Sequence, residues 1–238
     1  HKSLKDRRFE VFLKTLLSIV NDLFDITLIE SGETKIRAEE VNINHVFHEI
    51  KNIFTDKQIR SNKEEIKTKL IIPDTRHDPI VYTDANKLKQ ILINLLKNAL
   101  KFTSSGHIHY GYTYSIEKKC RYIQFFVKDT GVGIPIEKQK IIFELFRQAE
   151  DESTRRFGGT GIGLSVAKRL TELLGGRIWL ESTVNKGTTF HFTILHKIPE
   201  VHTSITPKGT EYEKTFFQQF PSIFIMIHYF GHGYPHYS

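Results

Sequence analysis

Asn94-Leu95-Leu96-Lys97-Asn98-Ala99-Leu100-Lys101 sorts its residues onto two sides of one helix. Asn94, Asn98 and Lys101 stand at i, i+4 and i+7 and share a face. Leu88, Leu92, Leu95 and Ala99 form another face, apolar and suited to a core. The spacing predicts a helix over residues 85–101, with Asp84 as its cap. Asparagine side-chain oxygens are hard, neutral ligands that suit Mg2+. A lysine one turn on can meet phosphate oxygens. The wetted side of any amphipathic helix has the same pattern, so its meaning depends on what surrounds it.

Downstream, Ile123, Phe125 and Val127 alternate with Gln124 and Lys128, as in a strand with one buried face. Asp129 continues the apolar side. A carboxylate there needs a donor, and the amino group of adenine could supply one. Gly131 and Gly133, within Asp129-Thr130-Gly131-Val132-Gly133-Ile134, let the backbone turn sharply and approach a flat base. A plain Asp-Gly turn is the alternative. Further on, Gly158-Gly159-Thr160-Gly161-Ile162-Gly163-Leu164 opens a helix expected over residues 162–174. Glycines before a helix start offer N–H groups and the positive dipole end to a phosphate. The GK[ST] ending of a Walker loop is missing. A long polar loop, not a strand, precedes it, which is unlike a Rossmann fingerprint.

Around these motifs the chain reads as mixed α and β. Residues 4–31 form one long helix whose Phe9, Phe12, Leu16, Ile19, Leu23 and Ile26 make a heptad seam. Leu13 and Val20 widen it to a bundle-like stripe; an amphipathic helix lying on the domain's own core is the other reading. Ser31-Gly32 ends it. A helix over 43–58 follows, capped by Asn42. Strands are expected at 66–72, 79–83, 107–115, 121–128, 177–183 and 188–195, the last two joined by Asn185-Lys186-Gly187. Residues 147–160 read as a mobile loop. Residues 197–238, rich in His, Tyr, Phe and Pro, have little periodicity and read as a linker or poorly ordered tail. Its His228, His232 and His236 are four apart, but Gly231, Gly233 and Pro235 oppose a helix that would align them.

The 238 residues, 39% hydrophobic and 26% charged, have an ordinary globular composition. A net charge of +7 favours anionic partners without choosing among nucleic acid, nucleotide and acidic protein. The single cysteine, Cys120, excludes an internal disulfide and fits a reducing compartment. No apolar run approaches the roughly 18–20 residues of a membrane helix, and no signal peptide is visible. The segment reads as soluble, whether or not its parent is membrane-anchored.

Taken in order and spacing, the asparagine helix, the Asp129–Ile134 turn, Phe143-Glu144-Leu145-Phe146 and the Gly158–Leu164 loop resemble the N, G1, F and G2 boxes of sensor histidine kinases. Residues 177–182 with Gly187-Thr188-Thr189-Phe190 are similar to that family's closing hairpin. Asp25-Ile26-Thr27-Leu28-Ile29-Glu30-Ser31-Gly32 resembles the end of its second dimerisation helix. The resemblance spans residues 9–195. It implies an α+β fold of the GHKL or Bergerat type: a two-layer α/β sandwich, a mixed sheet with helices on one face, preceded by a long dimerisation helix. It implies three parts: 1–33, the second hairpin helix; 34–197, the ATP-binding catalytic domain; 198–238, a linker or tail.

By the same match, Asn98 would coordinate Mg2+ with Asn94 assisting, Lys101 would contact phosphate, and Phe102 would pack on or near adenine. Asp129 would take the adenine amino group, with Gly131 and Gly133 shaping the base pocket. Gly159, Thr160, Gly161, Gly163 and Leu164 would form the phosphate end of a lid, and Arg147 would reach the γ-phosphate. Arg155 and Arg156 also lie in the lid. The implied chemistry is transfer of the ATP γ-phosphoryl group to a histidine of a dimerisation helix outside this chain, then to a response regulator receiver domain. The implied setting is a cytoplasmic segment of a homodimer joined through the N-terminal helix, with no nucleic acid partner and no membrane contact. His48-Glu49-Ile50-Lys51-Asn52 looks like the start of the family's acceptor motif. It lacks the proline, since Ile53 follows, and it comes after the Glu30-Ser31-Gly32 helix end. ATPases of the gyrase, heat-shock-90 and mismatch-repair type share these boxes but carry a glutamate base where this chain has Asn94. An amide accepts no proton usefully at neutral pH. A degenerate domain that only holds nucleotide is a further alternative, and the full set of boxes speaks against it.

Overall fold

The computed structural model describes residues 4–73, 79–117, 120–144 and 161–195. The expectations for Arg147, Arg155, Arg156, Gly159, Thr160, the 147–160 loop and the C-terminal tail lie outside the described residues. In chain order the elements are α1 (Leu4–Glu30), β1 (Glu39–Asn42), α2 (Ile43–Arg60), β2 (Lys67–Ile71), β3 (Ile80–Thr83), α3 (Ala85–Phe102), β4 (His107–Glu117), β5 (Cys120–Asp129), α4 (Ile136–Gln139), α5 (Gly163–Leu173), β6 (Ile178–Thr183) and β7 (Gly187–Leu195).

The helix caps form where the side chains predict them. Asp84 Oδ1 accepts the N–H groups of Asn86 and Lys87, each at 3.0 Å, and opens α3. Asn42 Oδ1 accepts from His45 N at 3.1 Å and opens α2. Such caps contribute about 1 kcal/mol each. β1 was not foreseen. It is short and begins with two glutamates; antiparallel pairing with β3, from Glu39 opposite Thr83 to Asn42 opposite Ile80, and burial of Val41 hold it.

The main sheet has the order β2-β4-β5-β7-β6. β2 runs parallel to β4 and the other pairs are antiparallel, so the sheet is mixed. One face buries Ile108, Tyr110, Tyr112, Ile123, Phe125, Val127, Phe190, Phe192 and Ile194. Against it lie Phe47 and Ile50 of α2, Leu88, Ile91, Leu92 and Leu95 of α3, and Val166 and Leu170 of α5. The period-two alternation of the strands meets the apolar faces of three helices, giving the expected two layers. Aromatic rings order the contact: Phe125 stacks on Phe192 at 4.7 Å, and Phe47 on Tyr112 at 5.6 Å.

The reading of α1 as a helix lying on the domain's own core holds for its C-terminal part. Its last turns lie on the domain. Ile26 is buried and Ile29 packs against the core. Asp25 Oδ2 accepts from Gln90 Nε2 at 2.6 Å, and Arg169 meets Glu30 at 3.2 Å. Farther back, Phe9, Leu16, Val20 and Leu23 are exposed. Ile26 therefore leaves the seam assigned to it and joins the domain's core, where α1 lies against α5.

Candidate functional site

Asp129 is the last residue of β5, opposite Ile108 of β4 and on the buried face. Its Oδ1 accepts the N–H groups of Gly131 at 2.8 Å and Thr188 at 3.3 Å. Part of its need for donors is thus met by the protein itself. Oδ2 has no hydrogen-bond partner among the described residues. Burial pushes the carboxyl above its ordinary value, and the two N–H groups offset this only in part. A buried carboxylate with one oxygen held and the other unmatched is suited to a ligand N–H.

The turn after Asp129 is fixed from both sides. Val132 N donates to Phe102 O at the end of α3, at 3.4 Å. Asn185 N of the β6–β7 turn donates to Val132 O at 2.8 Å, and Ile134 N to Ser182 Oγ at 2.8 Å. Two glycines make this packing possible. A Cβ on Gly131 would lie 2.5 Å from Phe102 O and 2.9 Å from Asp129 Oδ1. Gly133 has φ +70°, and a Cβ there would overlap the Thr183 carbonyl. Neither obstacle is a flexible side chain, so neither position accepts alanine without backbone movement.

α3 packs on both β5 and α5. Asn94 is buried, and its Nδ2 has no partner among the described residues. An unmatched buried amide costs about 1–3 kcal/mol. Asn98 and Lys101, on the same face of α3, are half-buried. The Lys101 ammonium lies 4.4 Å from the Phe102 ring centroid. Burial pushes the Lys101 amine below its ordinary value, and an anion beside it would favour the charged form.

The start of α5 faces this helix. A Cβ on Gly163 would sit 4.0 Å from Asn94 Cγ. Gly161, with φ +70°, turns the chain into α5, and no side-chain cap bond forms there. A helix start without a side-chain cap presents its N–H groups and positive dipole end to an anion. Two groupings result: Asp129, Gly131, Gly133 and Phe102 around the turn, with Lys101 over the Phe102 ring, and Asn94 beside Gly163 where α3 meets α5. Asn98 stands on α3 between Asn94 and Lys101.

Sequence reasoning gave no role to Thr188, whose N–H reaches Asp129 through the pairing of β7 beside β5. It also passed over Lys63, whose ammonium bonds the carbonyls that end α3. His48 lies exposed on α2, whose Phe47 and Ile50 pack on the main sheet. Its neighbour Glu49 is engaged with Lys89 at 2.9 Å and with His45 at 3.4 Å. The hydrogen bond from Lys89 is the main reason its carboxyl lies below the ordinary value.

Residues 83–198 match the family described as "Histidine kinase-, DNA gyrase B-, and HSP90-like ATPase". The chain is 35% identical over 210 residues to the autoinducer 2 sensor kinase/phosphatase LuxQ of Vibrio vulnificus (strain CMCP6), covering 85% of this chain and 24% of LuxQ. It is 33% identical over 192 residues to the sensory/regulatory protein RpfC of Xanthomonas campestris pv. campestris, covering 79% of this chain and 26% of RpfC. The circadian input-output histidine kinase CikA of Synechococcus elongatus is 35% identical over 176 residues, or 74% of this chain and 22% of CikA. The chain thus spans about a quarter of the length of these relatives. Among solved structures, full-length ShkA in complex with AMPPNP superposes with a TM-score of 0.66 at 24% identity, over 83% of this chain and 40% of ShkA. The catalytic domain of histidine kinase ThkA superposes with a TM-score of 0.51 at 28% identity, over 67% of this chain and 96% of that domain. With the mixed sheet, the asparagine helix and the glycine turn in place, the chain belongs to the sensor histidine kinases and carries the ATP-binding catalytic domain of the GHKL superfamily.

Proposed function

We propose that this chain binds Mg-ATP and transfers the γ-phosphoryl group to a histidine on a dimerisation helix outside it, for relay to a response regulator aspartate. The observation that carries the proposal is the buried Asn94 amide with an unmatched Nδ2, beside the glycine that opens α5. A general base for water would stand there in an ATPase of this superfamily, and an amide cannot act as one. In this reading Asp129 Oδ2 takes the adenine amino group and Gly131 and Gly133 seat the base. Phe102 packs near the base. Lys101 and the N–H groups from Gly161 to Leu164 hold phosphate oxygens, with Gly159 and Thr160 continuing that lid and Arg147 reaching the γ-phosphate.

Mg2+ fits this site as an ion brought with the nucleotide. Among the described residues no cluster of three or more His, Cys, Asp or Glu is placed to hold a metal. The side chains of Asn98 and Asn94 would supply neutral oxygens, with phosphates and water as further ligands. The ion would neutralise charge on the transferring group; the chain's own residues hold the nucleotide in place for transfer.

No described helix is long and apolar enough to cross a membrane. The exposed apolar side chains of α1 fit pairing with the first hairpin helix and a second protomer. Light scattering should show wild-type self-association that Leu16→Glu abolishes; monomers in both cases, with equal stability, would rule out the seam.

Incubation with labelled ATP tests the transfer. The chain alone should carry no acid-labile label. Adding a protein with the parent's first hairpin helix should place label on that helix. Acid-labile label on the chain alone, lost in His48→Ala, would make His48 the acceptor and overturn the proposal.

A further inference from the structure

We propose that Lys63 is a positioning residue for the nucleotide site, holding the last turn of α3 in the geometry that presents Lys101 and Phe102. The inference rests on the nucleotide-binding reading above. The Lys63 ammonium donates to the carbonyls of Leu100 at 2.5 Å, Lys101 at 3.2 Å and Thr103 at 2.8 Å. An ammonium has three donors, and here each meets a carbonyl at the negative end of a helix. Those carbonyls have no intrahelical partners of their own.

The loop that carries Lys63 is itself built. Asn62 takes φ +50° after the end of α2. The buried Gln58 side chain donates to the carbonyls of Lys63 at 2.9 Å and Ile66 at 2.6 Å. Lys67 N then bonds Gly106 O and starts β2 beside β4. Lys63 is half-buried, and desolvation pushes its amine below the ordinary lysine value.

What it holds is the hinge of the proposed site. Between the carbonyls of Lys101 and Thr103 lies that of Phe102, which accepts Val132 N from the glycine turn and lies close against Gly131. The same turn of α3 carries Lys101 over the Phe102 ring. Without Lys63 three carbonyls lose a charge-assisted donor together, and the last turn of α3 is free to fray.

The test measures Mg-ADP affinity by calorimetry and melting temperature on the full chain. Lys63→Met should weaken ADP binding about tenfold at a temperature where it is fully folded. Lys63→Arg, which returns N–H donors, should recover most of that loss. Phe54→Leu, a core change on α2, should lower the melting temperature and leave affinity unchanged. Wild-type affinity in Lys63→Met overturns the inference; so does an equal loss of affinity in Phe54→Leu. If even the wild type binds no ADP, the nucleotide reading fails, and amide exchange decides the positioning role by itself. Faster exchange at Thr103 and Val132 in Lys63→Met upholds it, and unchanged exchange overturns it.

Discussion

Asp129→Asn is expected to weaken ATP binding by about a hundredfold while leaving the fold intact. The two oxygens of Asp129 have different duties. Oδ1 receives Gly131 N and Thr188 N, so an asparagine at this position must turn its carbonyl toward them. Its NH2 group then replaces Oδ2 and faces the adenine amino group, donor against donor. Turned the other way, it would confront two backbone N–H groups instead. Each mismatch costs about 1–3 kcal/mol, and no rotamer avoids both.

The pH dependence follows from the same oxygen. Because the folded carboxyl is pushed above its ordinary value, the native state holds its proton more tightly than the unfolded chain does. The stability linked to this proton is therefore present below the unfolded value and lost as pH rises through the folded one. Nucleotide affinity runs the opposite way. Protonation puts a donor on Asp129, so wild-type affinity should fall with acid above the pH at which an ordinary carboxylate titrates. Asp129→Asn should lack that step. Calorimetry over a pH series checks both expectations; undiminished affinity in Asp129→Asn would remove Asp129 from the site.

Asn98→Ala should lower phosphoryl transfer about 10²–10³-fold, the range for losing one aligned polar group at developing charge. Asn98 is half-buried on the face of α3 shared with Asn94 and Lys101, away from the Leu88–Ala99 core face. Its truncation should therefore cost under about 1 kcal/mol of stability. The measurement is single-turnover transfer of label to a supplied hairpin, with thermal melts as control. Lys97→Ala is the comparison: Lys97 is exposed and lies between the two asparagines in sequence. It should transfer at the wild-type rate. A similar loss in both variants would mean that α3 is merely disturbed.

What could be read in the sequence was what depends on neighbours in the chain. Asn42 and Asp84 cap helices because the groups they bond lie two or three residues on. The inward side of β5 follows from Ile123, Phe125 and Val127 alternating, and it delivers Asp129 to the buried face. The asparagine helix keeps its predicted apolar face, whereas Asn94, on the side shared with Asn98 and Lys101, is buried beside Gly163. What could not be read depends on tertiary placement. Thr188 donates to a residue 59 positions earlier, and Lys63 to carbonyls 37 to 40 positions later. Neither stands in a periodic pattern. Asp129 was assigned a need for donors, and its Oδ1 is served by the local Gly131 N–H and, through tertiary placement, by Thr188 N–H. Ile26 has the spacing of the seam, yet the helices beside it draw it onto the domain.

This site is expected to hand phosphate to a histidine and not to water, and Asn94 is the residue that separates the two outcomes. The direct measurement follows free phosphate and acid-labile phosphohistidine together, in one reaction of the chain, Mg-ATP and the supplied hairpin. Label should accumulate on the hairpin histidine, with free phosphate no higher than without the chain. Steady release of free phosphate, with no label on the hairpin, would contradict it.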